Sequence, residues 1–328
     1  MEAINKQRSA YTDRVLGCLL GGAIGDAFGY EIEFERLPAI RKRFGPLGLQ
    51  EPVRHGGKLI VSDDTQMTLF TLEGLNRARS AGCLADLDAT LEHIRLATLD
   101  WYLTQSSSPG KAAYTGSLGR SRAMQVRRAP GNTCLSACAK GARGTPELPI
   151  NDGKGCGGVM RVAPIGLMLE SPRLAFEVGL RAAAQTHGHP EGYLPAGALA
   201  AIVRALVEGQ GLAEAVSVAV GLLRDRPRSE RTASALLAAQ APGASVQSLG
   251  EGWVGEEALA MGLHAALAGA GMSGAIRLAA NHDGDSDSTA SIAGQILGAA
   301  LGAEALPDGW GEGLDCGAEL LELASQLC

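Results

Sequence analysis

The segment Asn281-His-Asp-Gly-Asp-Ser-Asp-Ser-Thr289 carries three carboxylates at alternate positions, directly before an Ala- and Gly-rich helical pattern. Like charges held so close repel one another and raise one another's pKa, so the cluster costs free energy unless a cation neutralises it. A second acidic segment, Ser62-Asp-Asp-Thr65, lies far upstream and also precedes a helical pattern. Carboxylates and hydroxyls are the hard oxygen ligands that Mg²⁺, Mn²⁺ and Ca²⁺ prefer. We therefore predict that the two segments fold together into one metal site.

Helix capping is the alternative explanation for the two acidic segments. A Ser or Asp side chain at a helix start accepts a hydrogen bond from the backbone and complements the helix dipole. Ser286 or Asp287 could cap the downstream helix, and Ser62 or Asp63 could cap the upstream one. Capping accounts for one residue in each segment and leaves the other acidic residues unexplained.

Two further acidic residues, Glu31 and Glu33, follow a glycine-rich helical pattern. Alternation along residues 30–34 would place both carboxylates on one side if the chain is extended there. An exposed acidic edge after a helix is the alternative.

Glycine recurs at every fourth position in two helical patterns, one over residues 17–29 and one over residues 294–302. Residues four apart share one face of a helix, so each pattern forms a groove where another backbone approaches closely. Gly inside a helix costs about 0.5–1 kcal/mol relative to Ala, so the repeats require a compensating gain in packing. We predict that these two helices pack tightly together and hold Asp26 and Glu33 near the downstream acidic segment.

Another glycine-rich segment, Gly153-Lys-Gly-Cys-Gly-Gly-Val-Met-Arg161, leads into a helical pattern. Backbone amides at such a helix start bind phosphate or ribose oxygens. His187 and His189 lie between two helical patterns without a third soft ligand nearby. Hydrogen bonding to a ligand or to the backbone is therefore favoured over zinc binding, and a purely structural histidine is the alternative.

Composition and periodicity predict one all-α domain. Apolar residues make up 46% of the 328 residues, aromatics only 4%, and Gly numbers 45, which favours helices packed through Ala and Gly. Strand-like alternation is nearly absent. We predict a short leader over 1–13, an all-α domain over 14–328 and an irregular segment over 104–158. The predicted helices span 11–28, 65–80, 84–103, 159–169, 172–185, 195–208, 211–223, 230–240, 256–268, 274–280, 287–301 and 317–326.

The net charge of −6, without a basic stripe, argues against nucleic acid as a direct partner. The N-terminus lacks the apolar stretch of a signal peptide. Residues 258–276 contain no Asp, Glu, Lys or Arg, but they are mostly Ala and Gly and too weakly hydrophobic for a membrane span. We therefore expect a cytoplasmic protein that binds neither nucleic acid nor membranes and keeps its seven cysteines reduced.

Five segments of the chain, in this order, resemble the ADP-ribosylglycohydrolase family, which includes the dinitrogenase reductase-activating glycohydrolase. The family often has Thr at the positions of Ser62 and Ser288, and Asn at the position of Cys156. The matching segments are Gly17-Cys-Leu-Leu-Gly-Gly-Ala-Ile-Gly-Asp-Ala-Phe-Gly through Glu33-Phe34, Ser62-Asp-Asp-Thr-Gln-Met67, Gly155-Cys-Gly-Gly-Val-Met-Arg-Val-Ala-Pro164, Thr186-His-Gly-His-Pro190 and Gly284-Asp-Ser-Asp-Ser-Thr289.

The resemblance implies a compact single-domain helical bundle with two Mg²⁺ ions, or Mn²⁺, in a central cleft. Glu33 would be a mobile glutamate at the edge of the metal site. The implied catalytic residues are Glu33, Asp63, Asp64 and Asp285. The implied metal ligands are Ser62, Asp63, Asp64, Asp285, Asp287 and Ser288. The residues implied to bind ADP-ribose are Gly155, Cys156, Gly157, Gly158 and His187.

The implied reaction is hydrolysis of the glycosidic bond between ADP-ribose and a modified protein side chain, with arginine expected first. Such cleavage passes through an oxocarbenium-like state at the ribose carbon, to which divalent cations are suited. The partner would be an ADP-ribosylated protein. One alternative is an immunity protein that occludes an ADP-ribosyltransferase toxin, with residues 1–13 inserted into it. Another is a hydrolase of serine-linked or free ADP-ribose derivatives.

Overall fold

The computed structural model describes residues 2–106 and 108–327, and these residues form an all-α protein, as the sequence predicts. Backbone bridges join only isolated residue pairs, so this part of the chain contains no β-strand. None of its helices is long and apolar enough to cross a lipid bilayer. The α-helices are α1 (Glu2–Tyr30), α2 (Leu37–Phe44), α3 (Asp63–Ser80), α4 (Leu87–Thr104), α5 (Asn132–Ala139), α6 (Ala163–Met168), α7 (Pro172–Ala184), α8 (Pro190–Val207), α9 (Leu212–Arg224), α10 (Glu230–Ala239), α11 (Val246–Leu249), α12 (Gly255–Ala268), α13 (Gly271–Ala280), α14 (Ser286–Leu301) and α15 (Gly317–Ser325).

Several helix bounds differ from those predicted. Helix α1 begins at Glu2 rather than near residue 11, so it continues through most of the predicted leader. The division of the chain into a leader and a domain stays a prediction. The helix predicted over 159–169 was too long, because α6 begins only at Ala163, with Pro164 in its first turn. Proline is favoured in a first turn, where its missing N–H would have no helical partner. The segment predicted as irregular contains α5.

The centre of the core is α8, which is buried along nearly its whole length. Helices α6, α7, α9 and α12 pack around it. Small residues allow this close packing: a Cβ added at Gly197 would lie 2.8 Å from the carbonyl oxygen of Phe176 on α7. The low aromatic content is therefore offset by helices that approach closely through Ala and Gly.

Helices α1 and α14 pack backbone against backbone through their glycine patterns, which confirms the predicted pairing. A Cβ added at Gly21 would lie 2.5 Å from the carbonyl oxygen of Gly294. Near one end of the pair, Gly17 lies against Gly298, and near the other end Gly29 lies against the first turn of α14. The two helices therefore run antiparallel. This direction brings the C-terminal end of α1 to the N-terminus of α14, where the downstream acidic segment lies.

We expect Gly25→Ala to lower the free energy of unfolding by about 1–3 kcal/mol or more, because its new methyl group would overlap the backbone of α14. Gly221→Ala is the matched control. Gly221 also lies within a helix, but a Cβ added there would meet no atom within 4 Å, and the change is expected to stabilise by about 0.5–1 kcal/mol. Urea unfolding measures both values. Equal effects at the two positions would contradict the close approach of α1 and α14.

Candidate active site

A cleft of about 140 Å³ opens where the end of α1, the start of α3 and the start of α14 meet. The structure thus brings the two remote acidic segments to one place. Ser62 and Gly158, which the sequence also predicts for the site, are buried behind the cleft wall. The predicted site residues that line the cleft are Glu33, Asp63, Asp64, Gly155, Cys156, Gly157, His187, Asp285, Asp287 and Ser288.

Asp26 on α1 holds the start of α3 in place. Its buried carboxylate accepts hydrogen bonds from the backbone N–H groups of Ser62 and Thr65, each at 2.9 Å, and from the Thr65 hydroxyl. Ser62 caps α3, because its hydroxyl accepts a hydrogen bond from the backbone N–H of Asp64 at 3.2 Å. The capping explanation is therefore correct for Ser62, while Asp63 and Asp64 line the cleft. The glycine pattern predicted Asp26 near the downstream acidic segment, but it did not predict these hydrogen bonds to the start of α3.

Asp285 is both the cap of α14 and part of the cleft wall. Its carboxylate accepts a hydrogen bond from the backbone N–H of Ser288 at 3.3 Å. Asp287 accepts a bond from the same N–H at 2.9 Å. The thiol of Cys156 donates to Oδ2 of Asp285 at 2.7 Å. Asp285 therefore caps α14 instead of Ser286 or Asp287, because the helix begins one residue earlier than predicted.

Two acidic residues of these patterns do not line the cleft. Asp283 accepts a hydrogen bond from the backbone N–H of Leu37 at 2.6 Å and so anchors the start of α2. The chain turns after α1 instead of remaining extended. As a result, Glu31 binds Arg43 and, at 2.7 Å, His55. Only the second glutamate of that pair reaches the cleft.

The carboxylates that line the cleft are buried and crowded. Ligand atoms of Glu33, Asp285 and Asp287 all lie within 4.8 Å of one another. Burial, followed by repulsion from Asp287, raises the pKa of Glu33 to about 11. Burial first and Asp287 second also raise the pKa values of Asp63, Asp64 and Asp285 well above their usual range. The cleft therefore favours the uptake of protons or of a cation.

The chemistry of these residues fits a hard divalent cation. Oε2 of Glu33 and Oδ2 of Asp64 are buried and have no hydrogen-bond partner among the residues that the structure describes. Within residues 2–106 and 108–327, no basic side chain forms an ion pair with these two residues or with Asp63, Asp285 or Asp287. Mg²⁺ and Mn²⁺ bind such carboxylate oxygens.

The glycine-rich loop forms another part of the cleft wall. A Cβ added at Gly157 would lie 2.8 Å from Sγ of Cys134 and 3.1 Å from Cε1 of His187. Only glycine fits between these side chains without a shift. A Cβ added at Gly158 would lie 2.5 Å from the carbonyl oxygen of Gly192 on α8. Gly158 therefore serves the packing of the loop, whereas Gly157 faces the cleft.

The sequence as a whole matches a known family, since the model of the ADP-ribosylglycohydrolase family covers residues 7–328. The chain belongs to the ADP-ribosylglycohydrolase family. The resemblance predicted from the five segments is thereby confirmed.

Two relatives with named activities align with this family member over most of their length. ADP-ribosyl-[dinitrogen reductase] glycohydrolase from Rhodospirillum rubrum is 25% identical over 317 residues, which cover 92% of this chain and 90% of that protein. ADP-ribosylarginine hydrolase Tri1 from Pseudomonas putida (strain GB-1) is 27% identical over 317 residues, covering 96% and 78%. A solved ADP-ribosylglycohydrolase-related protein complex contains a chain that matches with a TM-score of 0.67 and 25% identity, over 97% of this chain and 98% of its own.

The sequence motifs of this ADP-ribosylglycohydrolase family member do not include every residue that lines the cleft. Trp253, in the loop before α12, stacks on Phe34 with ring centres 6.3 Å apart and planes at 19°. Phe34 is 74% exposed and follows Glu33, so the stacked pair lies at the mouth of the cleft. A single aromatic residue in a loop has no periodicity to reveal its partner. The additional lining residues are Ala129, Gly131, Asn132, Thr133, Cys134, Met160 and Trp253.

We expect the metal-free protein to lose stability as the pH rises from about 4 through 7, and Mg²⁺ to restore it. Burial, with repulsion from Asp287, raises the pKa of Asp26 from 3.8 to about 7, and the pKa values of the carboxyl groups in the cleft are raised as well. The folded state therefore binds more protons than the unfolded state in this window, so each rise in pH favours unfolding. Because the metal requires ionised carboxylates, the increase in Tm on adding Mg²⁺ should be larger at pH 8 than at pH 5. Thermal unfolding in EDTA and in Mg²⁺ tests this, and a pH-independent increase would contradict it.

Proposed function

We propose that this protein hydrolyses the N-glycosidic bond between ADP-ribose and an arginine side chain of a modified protein, with two Mg²⁺ ions, or Mn²⁺, in the cleft. The observation that carries the proposal is the meeting of Glu33, Asp285 and Asp287 with Asp63 and Asp64 in one buried cleft. Membership in the family supports the glycohydrolase reaction. The name of one relative, an ADP-ribosylarginine hydrolase, supports arginine as the acceptor.

The proposed metal ligands lie at the starts of two helices whose ends are fixed by hydrogen bonds. Ser62 caps α3 with one lone pair of its hydroxyl, which leaves the second available for a cation. When bound, the cations would orient the ribose hydroxyls and lower the pKa of the attacking water. The ligands in this proposal are Ser62, Asp63, Asp64, Asp285, Asp287 and Ser288.

We assign proton transfer to Glu33. In the reaction, water adds its oxygen to the ribose carbon, and one of its protons is transferred to the departing guanidine nitrogen. Oε2 of Glu33 is buried and accepts no hydrogen bond from the described part of the chain, so it is available to hold that proton. Burial and the neighbouring carboxylates raise the pKa of Glu33 to about 11, and bound cations would oppose this effect and favour its ionised form. Asp63, Asp64 and Asp285 contribute to catalysis by holding the cations.

The loop of Gly155, Cys156 and Gly157 and the side chain of His187 seat ADP-ribose in this proposal. The glycines leave the backbone open to a close approach by the ligand, as expected for phosphate and ribose oxygens. Cys156, where the family often has Asn, presents a thiol that donates to Asp285 rather than an amide.

Release of free ADP-ribose from an arginine-modified protein tests the proposed function. The purified protein is expected to release it with Mg²⁺ and to lose the activity in excess EDTA. A serine-linked ADP-ribosyl peptide serves as the comparison substrate. Faster hydrolysis of the serine linkage would overturn the arginine assignment, and release that is unaffected by EDTA would overturn the metal requirement.

The alternative function is that of a binding protein that blocks an ADP-ribosyltransferase toxin by occluding it. The matched measurement is the survival of cells that express such a toxin together with this protein. Reversal by hydrolysis predicts that Asp285→Asn loses protection along with ADP-ribose release. Protection retained by that variant would favour occlusion of the toxin.

A further inference from the structure

Arg161 is a buried cation behind the cleft wall whose partners are uncharged. It is 2% exposed and donates hydrogen bonds to the Thr186 hydroxyl at 2.7 Å and to the carbonyl oxygen of Ala182 at 3.2 Å. No carboxylate among the described residues forms an ion pair with it. Buried charges are normally paired, because an unpaired one is costly. The reaction proposed above does not use Arg161, so its position requires another explanation.

The Thr186 hydroxyl connects Arg161 to the cleft residue His187. Oγ1 of Thr186 lies 2.9 Å from Nδ1 of His187. Since a guanidinium group can only donate, the hydroxyl oxygen accepts from Arg161 and must give its own proton to another group. Two acceptors lie within reach: Nδ1 of His187 at 2.9 Å and the carbonyl oxygen of Ala183 at 3.3 Å.

The carbonyl oxygen of Ala183 is the poorer of these two acceptors. It already accepts hydrogen bonds from the backbone N–H of Thr186 at 3.0 Å and from that of His187 at 2.9 Å. Those two bonds occupy both of its lone pairs. The adjacent guanidinium also polarises the hydroxyl and strengthens it as a donor. The hydroxyl proton therefore goes to Nδ1, and a neutral imidazole must then carry its own proton on Nε2.

We propose that Arg161, acting through Thr186, is a positioning residue that fixes His187 as the neutral tautomer with its proton on Nε2. His187 lines the cleft, and its Nε2 lies 3.3 Å from the position that a Cβ on Gly157 would take. No hydrogen bond between described residues uses Nε2. The N–H therefore donates to an oxygen acceptor of ADP-ribose, a step that rests on the proposed function. A protonated nitrogen cannot bind a metal, so His187 is excluded from the metal ligands.

The environment of His187 keeps the ring neutral. Burial, followed by the positive charge of Arg161, lowers the pKa of His187 to about 3. At neutral pH the ring therefore offers the cleft one donor and no charge. The tautomer decides whether the His187 ring presents a hydrogen-bond donor or an acceptor to the cleft, and the Thr186 hydroxyl decides the tautomer.

Nitrogen-15 NMR of the full-length protein tests the tautomer directly. In a long-range ¹H–¹⁵N correlation spectrum at pH 7 with Mg²⁺ present, Nδ1 of His187 is expected at the position of an unprotonated nitrogen and Nε2 at that of a protonated one. The spectrum of His187→Gln identifies the signals among those of the six histidines. Protonation on Nδ1, or an average of the two tautomers, in the unchanged protein would overturn the proposal.

Two substitutions at Thr186 test the connection to Arg161. Thr186→Val removes the hydroxyl at nearly constant shape, so His187 should become a mixture of tautomers and ADP-ribose should bind about tenfold more weakly. Thr186→Ser keeps the hydroxyl and is expected to restore the single tautomer and most of the affinity. A purely structural role would give equal changes in both variants. A single Nε2–H tautomer in Thr186→Val would show that the hydroxyl does not fix it.

Failure of this inference is distinguishable from failure of the proposed function. The tautomer is measured without substrate. The NMR spectrum of the unchanged protein therefore tests the tautomer proposal even if Thr186→Val does not fold. If the unchanged protein fails to bind ADP-ribose, the proposed function fails while the tautomer result remains. If ADP-ribose binds but leaves the Nε2 proton signal of His187 unshifted, the hydrogen bond to the ligand is refuted alone.

Discussion

Asp285→Asn is expected to abolish Mg²⁺-dependent release of ADP-ribose, with a loss of at least about 10³-fold in kcat/KM, since metal-ion stabilisation contributes several kcal/mol. Asn is as good a helix cap as Asp, so its amide oxygen can still accept the hydrogen bond from Ser288 and keep the start of α14. The substitution removes only the charge that the cation requires. Release of ADP-ribose and Mg²⁺ affinity by calorimetry measure the effect. In EDTA the variant should unfold at a higher temperature than the unchanged protein, because a buried ionisable carboxyl is removed and repulsion from Asp287 is relieved.

Asp283→Asn is the matched control for this substitution, since it makes the same chemical change two residues away. Asp283 does not line the cleft, and Asn in its place can still accept the hydrogen bond from Leu37. Activity and Mg²⁺ affinity are therefore expected to be retained. Full activity of Asp285→Asn with greatly weakened Mg²⁺ binding would show that the metal is dispensable. Equal losses in the two variants would point to damage to the fold.

Glu33→Gln is expected to lower kcat by about 10²–10⁴-fold, the usual contribution of a positioned acid or base. Glutamine has nearly the same shape but cannot exchange a proton, and Oε2 of Glu33 is the buried oxygen to which we assign proton transfer. Mg²⁺ binding should persist, because the proposed ligands remain in place. Single-turnover measurement of ADP-ribose release, with Mg²⁺ affinity measured in parallel, separates the two effects.

Glu31→Gln is the control for Glu33, because it lies in the same turn but faces away from the cleft. Glu31 interacts with Arg43 and His55 on the surface side, where such ion pairs contribute only about 0–1 kcal/mol to stability. We expect its activity to match that of the unchanged protein. Unchanged activity of Glu33→Gln would show that another group transfers the proton. It would not contradict the proposed metal site.

The all-α fold, the α1–α14 pairing and the helix-start position of both acidic segments could be predicted from the sequence. Each of these depends on local patterns. Helical periodicity and a lack of strand alternation fix the class of secondary structure. Glycine at every fourth position defines a face that only a close backbone can cover, as the contact of Gly21 with Gly294 shows. The motifs around Ser62, Glu33 and Asp285 are local patterns too, and the family that they indicated is the one whose model covers residues 7–328.

Only the tertiary structure decided which hydrogen bonds the buried polar groups form. Asp283 and Asp285 are equivalent in an alternating pattern, yet one binds the backbone of Leu37 and the other lines the cleft. Asp26 supports α3 although it lies within a glycine-rich helix of another segment. Arg161 reaches His187 through Thr186 across a gap of many residues. The sequence sets the face on which a side chain lies, but the partner of a buried polar group depends on long-range packing. For that reason the acidic segments could be found by spacing alone, whereas their hydrogen bonds and altered pKa values could not.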